Sequence, residues 1–105
     1  MDPLTYRTIA VDDIELQVSV TNVGGPKGLA LLLHGFPELA FSWRYQIPAL
    51  ADAGYEVWAP DLRGYRESSK PPKVADYAID RLLADVAGLI DQSDRDDVTL
   101  IGHDW

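Results

Sequence analysis

The chain has 105 residues, 47% of them hydrophobic, a formal net charge of −8 and no cysteine. That length supports one compact unit at most, and the thiol count excludes a disulfide framework and a thiolate metal site. The basic residues are few and dispersed, which excludes the concentrated cationic face that nucleic acid requires.

Met1 to Tyr6 is short, polar and interrupted by Pro3, unlike a signal peptide. The longest apolar run, Leu29 to Leu33, is far too short to cross a bilayer, so a cytoplasmic location is expected.

Ile14, Leu16, Val18 and Val20 alternate with Glu15, Gln17, Ser19 and Thr21, the period of a strand with one wet face. Tyr6 to Val11 reads as its antiparallel partner, with a tight turn at Asp12 and Asp13. Glycines 24, 25 and 28 then break the pattern before Leu29 to Leu33, whose unalternating run suits a strand buried on both faces. Ile47, Leu50 and Ala51 follow at helical spacing, with Ser42 as the expected N-cap and Gly54 as the stop. Tyr55 to Ala59 is a short strand, and Pro60 to Pro72 a loop. The clearest helix carries Ile79, Leu82, Leu83, Val86, Leu89 and Ile90 as one apolar stripe, with Asp76 as its expected cap. Val98 to Ile101 is the last strand. The order predicts an α/β fold, a doubly wound and mostly parallel sheet with an antiparallel N-terminal strand pair, all within one domain over 1–105. Trp43, Tyr45 and Trp58 are expected to be packing residues.

Open α/β sheets place their chemistry at the carboxyl ends of buried strands, which here are His34 to Glu38 and Gly102 to Trp105. The run His34, Gly35, Phe36, Pro37, Glu38 resembles the H-G-x-P loop of α/β-hydrolases, and its Phe and Glu resemble epoxide hydrolases. Asp61, Leu62, Arg63, Gly64, Tyr65, with Ser68, is similar to the D-L-R-G-Y-G-x-S loop of the same enzymes, except that Arg66 stands where that loop has Gly. Gly102, His103, Asp104, Trp105 resembles their nucleophile elbow, with Asp in place of Ser. The resemblance implies the N-terminal part of an α/β-hydrolase core, ending at the elbow, and covers nearly the whole chain from about Asp12 onward.

The resemblance further implies a cofactor-independent hydrolase that opens an epoxide to a vicinal diol. Asp104 is the expected nucleophile, forming a covalent ester, because a carboxylate needs no base to attack at neutral pH. The backbone N–H groups of Phe36 and Trp105 are the expected oxyanion donors, and Phe36, Pro37 and Trp105 the expected substrate contacts. No metal site and no cofactor are expected. The catalytic His, acid and lid lie beyond Trp105 in the resembling enzymes, so the expected partners are a small electrophile and the remainder of the hydrolase domain, whether joined to it or as a separate chain, with neither nucleic acid nor membrane. His34 and His103 are expected to be buried and structural rather than basic catalysts. Gly102 is expected to permit close packing at the elbow, and Arg66 to strain its loop if the position needs positive φ. A haloalkane dehalogenase of the same fold and a non-catalytic truncated fragment are the alternatives.

Overall fold

A computed structural model describes residues 4–35 and 39–103. They form a five-stranded sheet from β1 (Thr5–Val11), β2 (Ile14–Thr21), β3 (Leu29–Leu33), β4 (Glu56–Pro60) and β5 (Val98–Gly102) in the order β1-β2-β4-β3-β5. β1 and β2 are an antiparallel hairpin turned at Asp12, whose φ is 53°, and β2 joins β4 antiparallel. β3 runs parallel to both β4 and β5.

Helix α1 (Gln46–Asp52) connects β3 to β4, and α2 (Ile79–Ser93) connects β4 to β5. These crossovers travel in opposite directions across the sheet, so a common handedness must put the helices on opposite faces. The core divides accordingly. Leu29, Leu31 and Trp58 meet Leu89 of α2 on one face, while Leu32, Val57 and Ala59 meet Ile47 and Ala51 of α1 on the other. Residues Leu29 to Leu32 are fully buried because both layers cover β3.

Several local expectations are corrected. Ser42 lies in a short 3-10 turn, Ala40–Trp43, and α1 begins after Tyr45 without a side-chain cap. Asp76 sits in a second such turn, Val74–Tyr77, and Ala78 precedes α2 instead. An intervening 3-10 turn in each case displaces the helix start from the candidate cap. Gly54 does follow α1 with a left-handed φ of 106°, as a stop should. The wet face of β2 is wet only at its start, since Ser19 and Thr21 are buried where β2 enters the sheet interior beside β4.

The stripe of α2 is also divided. Leu89 is buried and Val86 and Ile90 pack beside it, but Ile79 and Leu83 are 69% and 62% exposed, and Leu100 on β5 is 53% exposed. Tyr45 is 73% exposed, contrary to its expected packing role, with the Arg44 guanidinium 4.7 Å from its ring. Trp58 is core, its indole N–H donating to Glu56 at 2.7 Å. Trp43 packs at the edge of the α1-side core, with its indole nitrogen unpartnered among the described residues. No helix among the described residues is long and apolar enough to cross a membrane.

Candidate active site

The site begins with strand register. Leu33 of β3 lies opposite Gly102 of β5, and the His103 N–H donates to the Leu33 carbonyl at 3.0 Å. Two motifs separated by most of the chain therefore leave the sheet side by side at its carboxyl edge. Phe36, Pro37, Glu38, Asp104 and Trp105 lie outside the described residues, so the structure reaches the candidate nucleophile and oxyanion donors only up to their immediate neighbours. Among the described residues a Cβ at Gly102 would meet nothing within 4 Å, and the elbow residues of the expected close packing lie outside them.

His34 is 3% exposed, and both of its ring nitrogens are engaged. The Leu62 N–H donates to Nε2 at 3.0 Å, and Nδ1 lies 2.9 Å from the Gly35 carbonyl. Nε2 must offer a lone pair to an amide hydrogen, so the ring proton belongs on Nδ1, where it donates to Gly35. An imidazole committed on both sides braces backbone and has no lone pair left to activate water. The edge of Tyr65 meets this ring at 4.7 Å between centroids, and burial pushes the Tyr65 phenol pKa up. His103 is exposed, which corrects the expectation of burial: β5 is an edge strand here, with no described element beyond it.

The loop after β4 holds this arrangement from three directions. The Asp61 carboxylate accepts the Ala40 N–H at 2.8 Å, while its own N–H donates to Gln17 of β2 at 2.9 Å. Buried Ser68 accepts the Gln17 N–H at 2.9 Å and donates to the Asp61 carbonyl, and Ser69 exchanges bonds of 2.8 Å with Glu15. The half of β2 that β4 does not reach is thus satisfied by loop atoms. Toward α2, Arg63 grips Asp85 through two bonds of 2.7 Å and donates to the Asp76 carbonyl at 2.6 Å. The bond from Asp85 raises the Arg63 pKa, keeping the guanidinium charged although the pair is almost wholly buried.

Arg66 adopts φ 45°, so the left-handed conformation expected of the resembling glycine is retained by a residue with a Cβ. A cleft of about 490 Å³ opens beside His34, Leu62, Tyr65 and Leu82. Among the described residues no group of three or more His, Cys, Asp or Glu side chains is placed to hold a metal ion. The roles of Leu62, Arg63 and Asp85 were not apparent in sequence. One signal was available, since Asp85 is a charge set among the apolar residues of the α2 stripe, and an unpaired charge there would be costly.

Residues 30–105 match the family described as alpha/beta hydrolase fold. The chain is 51% identical over 96 residues to epoxide hydrolase A of Mycobacterium tuberculosis (strain ATCC 25618 / H37Rv), covering 90% of this chain and 30% of that protein. It is 44% identical over 106 residues to an AB hydrolase superfamily protein of Bacillus subtilis (strain 168), covering all of this chain and 36% of that one. The crystal structure of epoxide hydrolase A from Mycobacterium thermoresistibile superposes with a TM-score of 0.89 at 46% identity, over 98% of this chain and 32% of that one. The chain thus spans about a third of the length of these relatives. The mixed sheet, the paired motif-bearing strand ends and a family match covering most of the sequence make this chain a member of the α/β-hydrolase fold family.

Proposed function

We propose that the chain is the nucleophile-bearing part of an epoxide hydrolase, with Asp104 as nucleophile and the N–H groups of Phe36 and Trp105 as oxyanion donors. The observation that carries the reading is the register of β3 against β5, which starts the His34 and His103 segments at one edge. Relatives named as epoxide hydrolases support the substrate class. An Asp104 oxygen attacks a ring carbon, the C–O bond opens, and the alkoxide takes a proton to leave a hydroxyalkyl ester. Water then cleaves the ester to a vicinal diol and restores the carboxylate. A lid supplies the groups that activate the epoxide oxygen in the first step, and the second step needs a base and an oriented acid, all from the remainder of a hydrolase domain, in the same polypeptide or another. The exposed Ile79, Leu83 and Leu100 are the surface such a remainder would cover. Phe36, Pro37 and Trp105 would contact the small electrophile, no cofactor takes part, and the cytoplasm is the proposed location.

His34, committed on both nitrogens, is not available as the base that cleaves an ester on Asp104, so that ester is the species to trap. Incubation with a terminal aryl epoxide followed by peptide mass spectrometry should show a gain equal to the whole epoxide on Asp104, lost in Asp104→Asn. A gain equal to a haloalkane less its hydrogen halide, with no epoxide adduct, would support the dehalogenase instead. An adduct formed on other residues in place of Asp104, or one undiminished in the asparagine variant, would overturn the reading.

A further inference from the structure

We propose that the buried Glu56 carboxylate and the Arg95 fork form a register lock for β5, setting the rung at which Gly102 and His103 leave the sheet. The lock deepens the reading above, which takes its support from that register, and rests on it only for a bearing on chemistry. Glu56 opens β4 at 4% exposure, at the end of the sheet opposite the His34 and His103 segments. Its Oε1 accepts the Gly24 N–H at 3.0 Å and Arg95 Nη1 at 2.9 Å, while Oε2 accepts the Trp58 indole N–H at 2.7 Å. Arg95 Nη2 donates to the Gly25 carbonyl at 2.7 Å, so one planar fork grips a side chain of β4 and the backbone of the β2–β3 loop together. Arg95 lies just before β5, and the chain between them is pinned as well. The Leu29 N–H donates to the Asp97 carbonyl at 2.9 Å, and a Cβ at Gly28 would sit 2.4 Å from that oxygen.

Apolar side chains do not fix this register by themselves. Slipping β5 by one residue would turn Val98 and Ile101 away from the two cores they pack against, so burial excludes it. Slipping by two keeps every side chain on its face. In one direction it would set Asp96 opposite Leu29 and bury a charge. In the other, Leu100, now 53% exposed, would replace Val98 opposite Leu29, and Ile101 would replace Thr99 opposite Ala30. Apolar cover at the buried start of β3 is then kept, so the hydrophobic pattern there does not oppose the slip. Among the described residues β3 is the one strand paired with β5, so no second ladder opposes it either. The opposition is polar. Two residues of strand are about 6.6 Å, and a fork held at two fixed acceptors cannot follow both through such a shift. The slip would therefore leave the Glu56 carboxylate buried without its cation.

Scalar couplings across hydrogen bonds read the register directly in the ¹³C,¹⁵N-labelled full chain, independently of any chemistry at Asp104. The parent should show the Leu29 nitrogen coupled to the Asp97 carbonyl carbon and the His103 nitrogen to that of Leu33. Arg95→Met keeps the apolar stem and removes the fork. It should transfer part of the Leu29 coupling to the Thr99 carbonyl carbon, with the His103 to Leu33 coupling weakened in step. The β1–β2 hairpin, with Ile9 opposite Leu16, should keep its register throughout. Both couplings unchanged in the folded variant would overturn the proposal. So would their loss with no transfer to Thr99, because the fork would then hold β5 to the sheet without choosing its rung. Should the variant fail to fold, hydrogen exchange of the parent decides. The Leu29 amide should be no less protected than the Gly24 amide on Glu56, and a Leu29 amide that opens more readily would refute the lock by showing the first rung parting while the carboxylate is held. Failure of the Asp104 adduct experiment with the register as expected would sink the catalytic reading and leave the lock standing.

Discussion

Replacing Arg66 with glycine should stabilise the chain. Arg66 holds φ 45° on an exposed loop, and a side chain with a Cβ costs about 1–2 kcal/mol in that region. Its guanidinium takes part in none of the ion pairs among the described residues, and its carbonyl, which accepts from Lys70, survives the substitution. Against the relieved strain stands the looser unfolded chain that glycine brings, roughly 0.4–1 kcal/mol. The net gain is about 0.5–1 kcal/mol, which for a domain of this size is a rise in Tm of roughly 2–8 °C. Thermal unfolding followed by circular dichroism measures it, with Arg66→Ala as the control that deletes the guanidinium and keeps the Cβ. Alanine should leave Tm near the parent value. A glycine variant that melts at or below the alanine variant would show that the left-handed backbone is not the cost identified here.

Gly88→Ala should destabilise despite alanine's better helix propensity, worth about 1 kcal/mol, because the new Cβ would lie 2.3 Å from Val11 Cγ1 where α2 rests on β1. Overpacking of this kind costs roughly 1–3 kcal/mol, and Val11→Ala should recover part of it in the double variant; a Tm raised by Gly88→Ala alone would contradict the packing. Tyr65 sets an alkaline limit. Its folded pKa lies above the ordinary value, so as pH rises through about 10 the unfolded phenol ionises first, and stability present below that pH is progressively lost above it. Urea unfolding at about pH 9 and about pH 11 should show a smaller loss in Tyr65→Phe than in the parent, and equal losses would assign the alkaline slope to other groups.

What the linear sequence determined is what depends on near neighbours in the chain. The alternation from Ile14 to Thr21 marked an amphipathic strand, the unbroken run from Leu29 to Leu33 marked a strand with no wet face, and the order of strands and helices implied a doubly wound sheet. The motifs could be assigned to strand ends because glycine and proline interrupt the apolar periods on the page. Tertiary structure decided everything that depends on what arrives from elsewhere. Periodicity gave Ile79 and Leu83 the same apolar status as Leu89, but only Leu89 sits over the sheet. Tyr45 looked like a packing residue and stands in solvent, because the helix it precedes turns another face to the core. Ser42 and Asp76 have the chemistry of caps, yet capping needs a backbone that enters the helix at that residue, and 3-10 turns intervene. Above all, the tautomer of His34 is not a property of histidine or of its motif. It follows from an amide 28 positions away, and such a relation exists only when the chain is folded.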